Sequence, residues 1–119
     1  MLQVMPESEG IIVEIKASGT ITEDDKAALI ERLSEVMDTR ERYRLLYDWE
    51  ALDGWDKGAR SANVSFLMSH RGLVDRVAVV CADRLVDDVE RLRDLYKYSE
   101  VRHFTPDQRE AAWVWLREA

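Results

Sequence analysis

Arg44–Val80, RLLYDWEALDGWDKGARSANVSFLMSHRGLVDRVAVV, is the stretch that decides the fold. At its ends lie two apolar runs, Arg44-Leu45-Leu46-Tyr47-Asp48 and Val77-Ala78-Val79-Val80. Each has the length and bounding residues of a buried strand. The Val/Ala run within Val74–Val80 suits a central strand covered on both faces. Between them, a Gly54-Trp55 loop leads into a helix that ends at His70. Strand, loop, helix, buried strand is the repeating unit of an open α/β sheet.

Toward the N-terminus, Leu2–Met5 is a short apolar run and Pro6-Glu7-Ser8-Glu9-Gly10 supplies turn residues. Ile11–Ile15 is β-branched, with Lys16 and Gly19 marking its exit, so these first two strands are expected to pair as a hairpin. Thr22 is a good N-cap: its hydroxyl can accept an orphan N–H of the first helical turn, and Glu23, Asp24 and Asp25 suit the positive end of the helix dipole. That helix is expected to reach about Thr39. Leu29, Ile30, Leu33, Val36 and Met37 form its buried face. It makes a parallel, right-handed crossover to the third strand.

Toward the C-terminus, Asp83 is placed to cap a third helix whose inner face carries Leu85, Val89, Leu92 and Tyr96. Glu100–Phe104 reads as a short last strand. Thr105-Pro106-Asp107-Gln108 is a helix start with N-cap, first-turn proline and capping box. In the final helix, Ala112, Trp115 and Leu116 point inward. Trp113 lies about 200° around the axis from Trp115, so one of the two is expected to be exposed or covered by a partner. The whole is a single α/β domain, residues 1–119, with a mixed, mainly parallel five-stranded sheet and about four helices.

Composition limits the function. A length of 119 residues, 46% hydrophobic and 34% charged, fits one soluble core. No run approaches the roughly 20 apolar residues of a membrane span, and the N-terminus lacks the pattern of a signal peptide. A single cysteine, Cys81, excludes an internal disulfide and fits a cytoplasmic protein with a buried, inert thiol. The net charge of −7 opposes nucleic acid as a partner and allows at most weak membrane association.

The chain contains no GxGxxG, Walker loop, GxSxG or CxxC, and its two histidines, His70 and His103, are not at ligand spacing. No cofactor and no metal site are expected, and no catalytic residue is assigned. Asp48 and Asp53 flank a strand end, where ligands gather in open α/β sheets. They are the pair a small enzyme would use.

The helix from Trp55 to His70 stands out. At 100° per residue, Trp55, Ala59, Ala62 and Phe66 fall on one face. Val64, Leu67 and Met68 form a second apolar stripe bordered by Arg60 and Arg71. Covering a sheet needs one such stripe. The other is expected to pack on a neighbouring helix or a homodimer partner, or to bind an apolar, lipid-like ligand, a protein partner or a membrane surface. The candidate contact residues are Gly54, Trp55, Val64, Phe66, Leu67 and Met68.

The order of these signals resembles the SpoIIAA-like family, relatives of STAS domains (sulfate transporter and anti-sigma-factor antagonist). The resemblance rests on Gly19-x-x-Thr22-x-x-Asp25, the strand ending at Asp48, and Gly54-Trp55 with Ala59 before a helix ending at His70. Val101-Arg102-His103-Phe104 and Ala112-x-x-Trp115-Leu116 complete it. It implies small bacterial proteins with a mixed sheet backed by helices and a mobile second helix, for which ligand binding and membrane association have been suggested. STAS switches carry a phosphorylatable serine where this chain reads Leu52-Asp53-Gly54-Trp55-Asp56, with no hydroxyl residue until Ser61. The phospho-switch is therefore not expected. Leu85 stands where relatives often have tryptophan.

Overall fold

Two long parallel strands, β2 (Ile12–Ile21) and β3 (Tyr43–Trp55), form the spine of the computed structural model, which describes residues 1–5, 11–36, 42–58 and 74–118. β1 (Leu2–Val4) pairs antiparallel with β2, making the expected hairpin. β4 (Val74–Val80) and β5 (Glu100–Phe104) add in parallel beyond β3. The sheet has five strands in the order β1-β2-β3-β4-β5, mixed and mainly parallel as the sequence indicates. Among the described residues there are three α-helices, against about four expected: α1 (Glu23–Val36), α2 (Val86–Leu95) and α3 (Arg109–Arg117). Residues 59–73, the body of the helix expected between Trp55 and His70, lie outside the described residues.

α1 joins β2 to β3 and α2 joins β4 to β5, both stepping the same way across the sheet. Crossovers of one hand then place their helices on one face. Leu29 and Leu33 of α1 join Leu85, Val89 and Tyr96 around α2 in the core beneath that face. Successive strand residues point to opposite sides, so Leu45 and Tyr47 face α1 and α2 whereas Leu46 faces α3. α3 lays Ala112, Trp113, Trp115 and Leu116 on Ile12, Leu46, Ala78 and Val80.

The two long strands run well past their expected ends, and β3 carries two extra residues. Lys16 pairs with Asp48 but Ser18 with Ala51; Gly19 pairs with Leu52 but Thr20 with Gly54. Each bulge shifts the alternation by one residue, so the buried or partly buried apolar residues Trp49, Leu52 and Trp55 recur every third position. That spacing hides a strand from a period-two reading. Gly54 and Trp55 are accordingly the end of β3, opposite Thr20 and Ile21, rather than a loop opening a helix. Gly19 sits at the second bulge with φ +66°, a left-handed conformation that favours glycine, instead of marking a strand exit.

The helix caps follow the sequence with one exception. The Thr22 hydroxyl accepts the Asp25 N–H at 3.2 Å while the Asp25 carboxylate accepts the Thr22 N–H at 2.9 Å. That carboxylate is held below the usual range, chiefly by the Thr22 backbone bond. Thr105 and Gln108 form the expected reciprocal box before α3. Asp83 is not a cap. It opens a 3₁₀ turn, Asp83–Leu85, whose N-cap is Ala82.

Both tryptophans of α3 are buried, against the expectation that one must be exposed or covered by a partner. Arginines cover them. The Arg117 guanidinium lies 5.3 Å from the Trp113 ring, and those of Arg76 and Arg102 lie 5.4 and 4.7 Å from Trp115. Cation–π contact and the aliphatic stems of arginine shield a ring that the helix alone leaves at its flank. Val114 is the large apolar residue of α3 left on the outside.

Candidate functional site

Asp48 lies in the middle of β3, on the face covered by α3, and is buried together with Glu14 of β2. Arg109, the first residue of α3, answers both. It contacts the Glu14 carboxylate, lies 3.0 Å from Asp48 Oδ2 and reaches Glu50 at 3.4 Å. The second Asp48 oxygen accepts the Glu50 N–H at 3.0 Å. Burial works against the Arg109 charge, but the Glu14 and Asp48 carboxylates outweigh it and hold the guanidinium above its ordinary pKa. At the far end of α3, Arg44 and Arg76 donate to the carbonyls of Leu116 and Trp115 at 2.7 and 2.8 Å, and both reach Glu118 O. Carboxylates thus stand near the N-terminus of α3 and guanidinium groups at its C-terminus, in the sense its dipole requires.

This geometry separates the two acids that the sequence set together. Asp53 is exposed and five residues further along β3, roughly 15 Å away at the rise of an extended strand. Asp48, with both oxygens engaged, is a structural anchor for α3. Glu14 and Arg109 were not singled out in the sequence. Glu14 left a trace, since a charge inside Ile-Ile-Val-Glu-Ile is out of pattern, but Arg109 left none.

The opposite face is built from aromatic rings. Tyr96, Tyr47, Trp49 and Trp55 form a row with successive centroid separations of 6.4, 6.0 and 5.6 Å, the last pair edge to face. Three of these rings belong to β3, and Tyr96 closes α2. Tyr47, Trp49 and Tyr96 are buried; Trp55, at the end of the row, is half-buried. The Lys26 ammonium of α1 sits 5.5 Å from the Trp55 ring centre, and burial pushes its pKa down.

β4 pairs with β3 only as far as Asp48, opposite Val80, while β2 continues alongside to Trp55. The β4-side edge of residues 49–55 therefore extends beyond the last β4 partner. Arg84, from the turn after β4, donates to Leu52 O at 2.6 Å and approaches Asp53 O at 3.4 Å. This is the carboxyl end of a parallel sheet, where open α/β folds gather their ligands. Lys26 and Arg84 stand on its two sides.

Hydrogen bonding in the row is incomplete. The Tyr47 and Tyr96 hydroxyls bond to each other at 2.8 Å, and the Trp49 indole N–H, fully buried, meets no acceptor among the described residues. Burial pushes the Tyr47 phenol up to about 12 and that of Tyr96 well above its ordinary value, so both hold their protons at neutral pH. The neighbouring Cys81 thiol is buried as expected and pushed up to about 11 by burial and by Asp83 and Asp88. His103 is not a free surface group: its Nε2 lies 2.9 Å from the Cys81 carbonyl, which can only accept, so Nε2 carries the proton.

Of the candidate contact residues, Gly54 and Trp55 are placed at the carboxyl end of β3. Gly54 has ordinary φ and open space where a Cβ would stand. Val64, Phe66, Leu67 and Met68, with His70, lie outside the described residues. No group of three or more metal-ligating side chains occurs among the described residues, and no described helix is long and apolar enough to cross a membrane.

Comparison with known proteins agrees with this architecture. The chain is similar in fold to the crystal structure of an uncharacterised DUF3478-family protein with a SpoIIAA-like fold from Shewanella loihica PV-4. The TM-score is 0.69 at 20% identity, over 98% of this chain and 92% of that one. No curated protein matches the chain. The SpoIIAA-like family model matches residues 12–117, from the first residue of β2 to the last of α3. The chain belongs to the SpoIIAA-like family.

Proposed function

We propose that this SpoIIAA-like domain is a non-enzymatic, cytoplasmic binding module that takes an apolar, lipid-like ligand at the carboxyl end of β3. The observation that carries the reading is the aromatic row on β3, which ends in the half-buried Trp55 between α1 and the turn after β4. Binding sites for apolar molecules are concave, lined mainly by aromatic and aliphatic groups, with few polar contacts. Trp49, Leu52 and Trp55 are groups of that kind: Trp49 and Leu52 are packed in the core and Trp55 is the one that reaches the surface. Gly54 belongs to the same strand end. The part assigned to Val64, Phe66, Leu67 and Met68 rests on their second apolar stripe in the sequence.

Titrating oleate, or phosphatidylcholine vesicles, against intrinsic tryptophan fluorescence tests the reading. Trp113 and Trp115 lie on the other face, so the expected change is reduced in W55F, where Trp49 alone still reports, and persists in full in W113F. Unchanged emission at saturating oleate and lipid removes the ligand reading. A homodimer or a protein partner would then account for the second stripe, and sedimentation of wild type against Met68→Glu would separate those two.

A further inference from the structure

The aromatic row holds more hydrogen-bond donors than acceptors. Two phenols in contact carry two hydroxyl protons, and only one lies between the two oxygens. The other has no acceptor among the described residues, and neither has the Trp49 indole N–H. Tyr47 and Trp49 are two residues apart on the same face of β3, their ring centres 6.0 Å apart. Burial keeps both phenols protonated at neutral pH; a neutral phenol oxygen can still accept, but neither is within hydrogen-bond reach of the Trp49 N–H. A buried donor without an acceptor is destabilising, and native interiors leave few of them.

We infer that Trp49 and the Tyr47–Tyr96 pair receive the carbonyl oxygen of a neutral, mostly apolar ligand. The inference rests on the binding reading above and narrows its ligand to an ester-, amide- or ketone-bearing apolar molecule. An ammonium is excluded because it would bring donors and a buried charge but no acceptor. A carboxylate is disfavoured because its charge would be buried among aromatic rings: the Lys26 ammonium sits over Trp55, at the outer end of the row. A carbonyl offers two lone pairs and needs no counter-charge. The chain of the ligand would continue along Leu52 toward Trp55, where the row opens.

The experiment compares 2-undecanone with hexylbenzene, a hydrocarbon of similar size without an acceptor, on the wild-type chain carrying ¹⁵N-labelled tryptophan. The expected result is that 2-undecanone moves the Trp49 side-chain N–H resonance downfield, which hexylbenzene leaves in place. The ketone also binds about tenfold tighter, the worth of one buried hydrogen bond. W49F, which identifies the resonance, brings the two affinities together. Equal affinities with the Trp49 resonance unmoved overturn the inference and leave the apolar-ligand reading standing, with a buried water as the acceptor. Binding of oleate without binding of the ketone overturns it in the same way. If oleate, ketone and hydrocarbon all fail to bind, both readings fall. Should W49F fail to fold, W55F, W113F and W115F assign the other three indole resonances and leave that of Trp49, which is then read in the wild-type protein.

Discussion

The two faces of the sheet solve the problem of buried polarity in opposite ways. Under α3, polarity is ionic: Arg109 answers Glu14 and Asp48, and Arg44 and Arg76 close the far end of the helix, although the buried Arg44 Nε meets no acceptor among the described residues. Under α1 and α2, polarity is uncharged and unbalanced, with two hydroxyls and an indole N–H among hydrocarbon. A face held by ion pairs would have to give up a charge contact to admit an apolar ligand. A face with surplus donors beside a half-buried tryptophan has both a lining and an orientation device. The α3 side is therefore built for structure, and the proposed binding belongs to the side of the aromatic row.

The strongest way to break this contrast is to remove the arginine. R109M leaves the buried Glu14 and Asp48 carboxylates without their shared cation. It is expected to lower unfolding free energy by about 3 kcal/mol, the low end for a broken buried pair because the guanidinium is one-third exposed. Urea denaturation measures it. A loss within the error of the midpoint would show that the α3 face is not held by charge, and Glu14→Gln in the R109M background is expected to recover part of the loss.

Alkaline titration probes the other face. Tyr47 and Cys81 have folded pKa values raised from 10.0 to about 12 and from 9.0 to about 11. A raised folded value means that the unfolded chain releases its proton first. The stability is fully present below about pH 9 and is lost as pH rises through 11 and 12. Tyr47 contributes about 2 to 3 kcal/mol to that loss, at 1.4 kcal/mol per pH unit of separation, and Cys81 adds to it. Thermal melts between pH 8 and pH 12 should show the decline, and Y47F should flatten it. A Y47F curve identical to wild type would mean that the aromatic face is open to solvent.

The glycines of the bulged region give the smallest effects and sharpen how β3 presents Trp55. Gly19→Ala meets no atom within 4 Å but must hold φ +66°, so it should cost about 1 kcal/mol. Gly54→Ala has the same open space and no such constraint, and its effect should stay within about 0.5 kcal/mol. Chemical denaturation of the pair decides it. A large loss in Gly54→Ala would show that the carboxyl end of β3 must move, which is what a hinge there requires.

Much of this was legible in residue order. The central strands, the hairpin, the Thr22 and Thr105 caps and the inner face of α2 each follow from a pattern spanning a few neighbours, and each is present. The site was legible only in part. Trp55 was singled out, but as a helix residue, because two bulges turn the strand's period of two into an apparent period of three. The exposure expected of one α3 tryptophan was wrong for a related reason. Helix periodicity counts positions around one axis and takes no account of Arg76 and Arg102 arriving from β4 and β5.

By itself the sequence determined the five strands in outline and the three described helices, that the sheet is mixed and mainly parallel, and that Gly54 and Trp55 belong to the region to examine. Those are local properties, set by hydrophobic spacing, capping chemistry and β-branching within a few residues. The tertiary structure alone decided that Asp48 is bound to Arg109, that Tyr47 meets Tyr96, and that the Trp49 N–H has no acceptor among the described residues. The first two join residues far apart in the chain, and the third concerns the surroundings of one atom. Long-range pairing and the environment of a buried donor depend on which faces are brought together, and no local pattern in the chain encodes that.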